Sequence, residues 1–181
     1  MHFSPLPIAG AWLVEPERLT DVRGFFARVW CEQEFADHGI AHRAVQANVG
    51  YSPKRGTLRG LHYQAAPDLE AKLVRCTRGA VWDVIVDLRP DSPSYRRWHA
   101  EELTADNHRM VYVPPLCAHG YLTLQNDTEL WYHTSTAWAP ASARGVRYDD
   151  PVFGIAWPEP VTVISQRDQE WPLLNGAGLS S

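Results

Sequence analysis

The chain is 181 residues long, 45% hydrophobic and 21% charged, with 17 Lys and Arg against 21 Asp and Glu for a net charge of −4. That apolar share supports a packed core in one domain spanning 1–181, and the mild negative balance disfavours a nucleic-acid partner, which asks for a basic face. Eight Trp, seven Tyr and five Phe, with 14 Pro and 12 Gly, describe a chain of turns and rigid rings, not a helical bundle. Cys31, Cys76 and Cys117 are odd in number and widely spaced, so they offer neither a disulfide framework nor a C-x-x-C metal site and suit a reducing, cytoplasmic setting. Met1-His2-Phe3-Ser4-Pro5 is not a basic stretch before an apolar run, and no window approaches the roughly 20 apolar residues of a membrane span. No membrane association is expected.

In chain order, a helix is predicted over 31–38, closed by Gly39 as a left-handed cap. Strands are predicted over 44–49, 57–64, 80–88, 110–113, 130–134 and 161–165, where β-branched or alternating residues run between turn signals. The punctuation is Ser52-Pro53-Lys54-Arg55-Gly56, Arg78-Gly79, Arg89-Pro90-Asp91-Ser92-Pro93, Asn107-His108 and Gln125-Asn126-Asp127. Many short strands without a βαβ rhythm indicate an all-β sandwich or barrel such as a jelly roll, with a few short helices.

The densest chemistry lies in Gly56-Thr57-Leu58-Arg59-Gly60-Leu61-His62-Tyr63-Gln64. Strict alternation puts Leu58, His62 and Gln64 on one face and Arg59 and Tyr63 on the other, so Arg59 and His62 share a cavity only if Gly60 breaks the register. Otherwise Arg59 is a surface cation and His62 a half-buried ring. His119, in Ala118-His119-Gly120, gives a second imidazole and invites a metal reading. A cupin-type metal site, however, asks for His-x-His and a following Glu, and Gln64 stands where the second His would be, so no metal is expected. His62 suits proton transfer, with Asp83, Asp87 and Asp168 as candidate partners that spacing does not separate. Tyr132 has the parity of Leu130 and Thr134 and reads either as an inward hydroxyl or as a core ring.

With Asp21-x-Arg23-Gly24-Phe25-Phe26, Gln46-x-Asn48, the 56–64 segment, Lys72-Leu73-Val74, Asp83-Val84-x-Val86-Asp87-Leu88-Arg89, Ala118-His119-Gly120, Asp150-Pro151-x-x-Gly154-Ile155-x-Trp157-Pro158 and Ser165-x-x-Asp168 in this order, the chain resembles the dTDP-4-dehydrorhamnose 3,5-epimerase family from Ile8 to about Pro172. The resemblance implies a cupin-type jelly roll, also called a double-stranded β-helix, usually homodimeric, that epimerises C3 and C5 of a nucleotide-linked 4-keto-6-deoxy sugar without metal or other cofactor. It implies His62 as base, Asp168 as its orienting partner, Tyr132 as acid on the opposite face, and Lys72 as the cation beside the enolate oxygen. It also places Arg23, Gln46, Asn48, Arg59, His119 and Arg167 around the substrate, and puts Trp138 where the family often has a Tyr that stacks on the base. Arg28 and Ala143 depart from the family pattern, which has Glu at both positions, near the nucleotide. Three other readings remain at this point: a C3-only epimerase, a sugar-nucleotide binder without catalysis, and a metal-dependent cupin dioxygenase.

Overall fold

The computed structural model describes residues 1–174. Two antiparallel sheets face each other. The first contains β1 (His2–Pro5), β2 (Trp12–Glu15), β5 (Gln46–Ser52), β7 (Lys72–Arg78), β10 (Met110–Val113) and β12 (Thr128–Thr134), in the spatial order β1-β2-β10-β7-β12-β5. The second contains β6 (Thr57–Gln64), β8 (Ala80–Asp87), β9 (Trp98–Thr104), β11 (Cys117–Thr123) and β13 (Ala143–Gly145), ordered β13-β6-β11-β8-β9, with the two-residue β14 (Val163–Ile164) parallel to β6. A separate hairpin joins β3 (Arg18–Asp21) and β4 (Gly24–Ala27). The helices are α1 (Glu32–Ala36) and α2 (Gln166–Gln169). This is the jelly roll expected.

Three apolar layers hold it together. Between the sheets, Val74, Cys76, Val111 and Leu130 meet Val81, Ile85, Leu103 and Tyr121. Outside the first sheet, Val14, Leu73, Met110 and Tyr112 pack under Phe35 and Ile40 from the α1 region. Outside the second, Leu61, Val84, Val86 and Ala118 are covered by Val146, Phe153 and Leu174. Much of both sheets is therefore apolar on two faces, which is why β11 is buried at every residue and shows no alternation.

The expected helix is real but shorter at both ends: Cys31 is its N-cap residue, and the chain turns at Gly39 with φ +74. Among the described residues no helix is long and apolar enough to cross a membrane.

Candidate active site

Register decides what faces the interior cleft. On the first sheet Tyr132 stands opposite Asn48 on one side and Val74 on the other, while Thr134 stands opposite Gln46 and Lys72. Pleating therefore turns Gln46, Asn48, Lys72 and Tyr132 to the same face. On the second sheet His119 pairs with His62, whereas Tyr121 pairs with Arg59, so two residues of β6, Gly60 and Leu61, oppose one of β11, Gly120. This is the bulge that alternation alone left undecided, and it brings Arg59 and His62 to one cavity. Gly60 makes it possible, with φ +133 and an absent Cβ that would lie 2.5 Å from Gly120 Cα.

The cleft has two adjoining chambers of about 470 and 580 Å³, and His62, Lys72, Tyr132 and Arg167 line both. The base and acid candidates thus come from opposite sheets. His62 is held by Asp168: Nε2 lies 2.7 Å from Asp168 Oδ1, with the imidazole 42% exposed and the carboxylate 6%. Because a carboxylate only accepts, Nε2 carries the hydrogen and Nδ1 keeps the lone pair. Asp83 and Asp87 are occupied elsewhere, Asp83 by His119 at 2.8 Å and Asp87 by Arg89, Ser92 and Ser94.

Asp168 is built in from several directions. Ser165 caps α2 through the Asp168 N–H, and the Gly60 N–H and Trp171 Nε1 donate to the carboxylate at 3.2 and 3.3 Å. Burial alone would raise its pKa, yet the hydrogen bonds from His62, Gly60 and Ser165 outweigh it and hold the carboxyl below its ordinary value. Trp171 meets the His62 ring edge-on and occupies the space that a side chain at Gly145 would need. Burial first, and then the Glu70 carboxylate, push the Tyr132 phenol up, against the opposing pull of Arg59. Lys72 Nζ donates to the His62 carbonyl at 3.1 Å.

The remaining expected residues divide. Arg59 and His119 line the larger chamber, Gln46, Asn48 and Trp138 the smaller one, and Arg167 both. The Trp138 backbone N–H donates to Gln46 Oε1 at 3.0 Å, and the residue is 58% exposed. Ala143 also lines the smaller chamber, beside Arg144. Arg23 and Arg28 do not line the cleft of their own chain. Arg23 sits at the tip of the β3–β4 hairpin, 86% exposed and paired with Asp21, and Arg28 is turned away to Glu34 of α1. Glu70, Tyr121, Arg144 and Trp171 belong to the site or its support but were not expected there. For Glu70 a signal existed, because it lies two residues before Lys72 and shares its parity. Among the described residues no group of three or more His, Cys, Asp and Glu side chains is arranged to hold a metal ion.

A family model described as dTDP-4-dehydrorhamnose 3,5-epimerase matches residues 5–176. The protein of that name from Sinorhizobium fredii is 41% identical over 179 residues, covering 96% of this chain and 90% of that one. A crystal structure of a dTDP-4-dehydrorhamnose 3,5-epimerase from Bacillus anthracis, with TDP and PPi bound, superposes with TM-score 0.92 at 38% identity, covering 96% of this chain and 99% of that one. ChmJ, a 3'-monoepimerase from Streptomyces bikiniensis solved with dTDP-quinovose, gives TM-score 0.85 at 38% identity, covering 96% and 87%.

Proposed function

The chain belongs to the dTDP-4-dehydrorhamnose 3,5-epimerase family, and from that premise we propose that it is an isomerase inverting C3 and C5 of a nucleotide-diphosphate 4-keto-6-deoxy sugar. The observation that carries the reading is the His62–Asp168 pair on one wall of the cleft facing Tyr132 on the other. Epimerisation needs a base on one face of the sugar ring and an acid on the opposite face.

In this reaction His62 Nδ1 takes the proton from a carbon next to the C4 ketone. The C–H electron pair becomes a C=C bond, and the carbonyl pair moves onto oxygen as an enolate. Lys72 supplies fixed positive charge for that oxygen, which makes the carbon acid reachable. Electrons then return to the carbon, which takes the Tyr132 phenol proton from the other side, and exchange with solvent resets both groups. C3 and C5 both flank C4, so one base and one acid serve both centres. Asp168 balances the imidazolium formed in the first step and keeps its ring in place. Arg59, Arg144 and Arg167 give the cleft cations for a diphosphate. Trp138 offers a stacking face for the nucleobase.

In heavy water, the protein given a dTDP-linked 4-keto-6-deoxy sugar is expected to place deuterium at C3 and C5. No incorporation at either carbon overturns the reading. A C3-only epimerase is the second reading, favoured by the likeness to the monoepimerase ChmJ, and deuterium at C3 alone selects it. The nucleotide is proposed to be dTDP, supported by the TDP in the Bacillus anthracis relative. Affinities for dTDP, CDP, GDP and UDP test this, since Ala143 leaves that wall without the usual carboxylate.

A homodimer and a cytoplasmic setting complete the proposal. The dimer is supported by Leu19, Phe25 and Phe26, all exposed on the β3–β4 hairpin, and it would let Arg23 and Arg28 serve a partner's cleft. Light scattering that gives a monomer overturns it. The setting is supported by Cys31, Cys76 and Cys117, which are all free.

A further inference from the structure

Glu70 lies in the cleft, and the proposed epimerisation gives it no part. It precedes Lys72 by two residues, so the extended chain carries Glu70, Lys72 and Val74 towards one face, and Val74 stands opposite Tyr132. Its Oε2 is 3.2 Å from Lys72 Nζ, with both side chains about nine-tenths buried. Glu70, Lys72 and Tyr132 line the same chamber, and Glu70 is the one carboxylate among the described residues lining it. The other titratable groups that line the two chambers with Tyr132 are Arg59, His62 and Tyr63 from β6, His119 and Tyr121 from β11, Arg144 from β13, and Arg167 and Asp168 from α2.

We propose that Glu70 is a positioning residue for the acid and the cation of this site: it fixes the Lys72 ammonium and holds the proton on the Tyr132 phenol until the carbanion takes it. The inference rests on the epimerase reading and adds a residue to it.

Two physical arguments support it. An ammonium this buried is costly without a counter-charge, and apart from Glu70 its hydrogen-bond partner is a neutral carbonyl, that of His62. A phenolate formed beside Glu70 would face a second anion, so the carboxylate opposes premature loss of the proton. Burial acts on Tyr132 in the same direction and Arg59 against it. The arrangement therefore keeps a neutral acid next to a paired cation, both of which matter only once the enolate exists.

The test compares the full chain with Glu70→Gln, which keeps the shape and removes the charge, and with Glu70→Asp, which keeps the charge. All are labelled with 3-fluorotyrosine, and the Tyr132 resonance is identified by its loss in Tyr132→Phe. The Tyr132 titration midpoint is expected to fall by about one pH unit in Glu70→Gln. It should fall less in Glu70→Asp, with the alkaline limb of kcat/KM following each midpoint and dTDP affinity unchanged. A midpoint unmoved by Glu70→Gln overturns the proposal irrespective of turnover. Glu70→Ala gives the same comparison should the amide impair folding. Failure of the epimerase reading shows separately, as absent deuterium exchange in the unmodified protein.

Discussion

The cleft side of β12 looks onto a histidine–carboxylate pair, His62 with Asp168, and the aromatic layer on the other side of the same strand holds a pair of histidines. In the cleft His62 is 42% exposed and partnered by a carboxylate. Behind it His133, the neighbour of Tyr132, turns to the opposite face and meets His42, with Nδ1 of His133 2.8 Å from Nε2 of His42. Trp30, Phe35 and Tyr112 enclose that second pair. Burial, and for His42 also the neighbouring ring, push both pKa values down to about 4. An anion and solvent adjoin the first imidazole, whereas apolar rings close around the second pair and oppose its protonation. The first geometry suits the proposed proton transfer and the second suits packing.

The largest expected effect that sharpens this contrast is on rate. His62→Ala should lower kcat/KM by roughly 10²–10⁴-fold while dTDP still binds. His133→Phe should keep the chemistry and change stability instead. A comparable rate loss in both variants would erase the distinction.

Next in size is acid stability. His42 and His133 accept a proton less readily when folded than at their ordinary value of 6.5. Stability is therefore full above pH 6.5 and falls as the pH drops towards about 4, by on the order of 3 kcal/mol for each ring at most. Asp168 has linkage of the same sign in a lower window: its depressed carboxyl stabilises the fold above its ordinary value of 3.8, and that share is lost only as the pH falls below it. Urea unfolding at a series of pH values should show the histidine loss first, and His42→Phe/His133→Phe should flatten it. An unchanged slope in the double variant would place the acid sensitivity elsewhere.

The smallest effect concerns support. Gly145→Ala adds a methyl where Trp171 packs, loosening the indole that donates to Asp168. A loss of about tenfold in kcat, near 1.4 kcal/mol, is expected with KM little altered. A raised KM at constant kcat would instead assign Trp171 to substrate binding.

Much of this was legible in the chain. β6, β8, β10 and β12 follow β-branched or alternating runs, and Gly39 marks the end of α1. β7 carries no strand signal because Lys72, Arg75 and Arg78 interrupt its apolar residues, and β11 carries none because burial on both faces removes alternation. The choice of Asp168 over Asp83 and Asp87 rests on contacts across 106 residues of chain, which local spacing does not encode. Arg23 illustrates the converse: its motif is plain in sequence, yet its place on an exposed hairpin follows from tertiary structure.

The inter-sheet core also has a consequence for catalysis. Tyr132 and Lys72 hang from one sheet and His62 from the other, so the gap between the proposed acid and base depends on the apolar layer of Val74, Leu130, Ile85 and Leu103 that spaces the sheets. That layer is a ruler. Trimming one of these side chains by a methylene or two would let the walls settle closer, detuning proton transfer at a distance while every reacting group stays chemically intact.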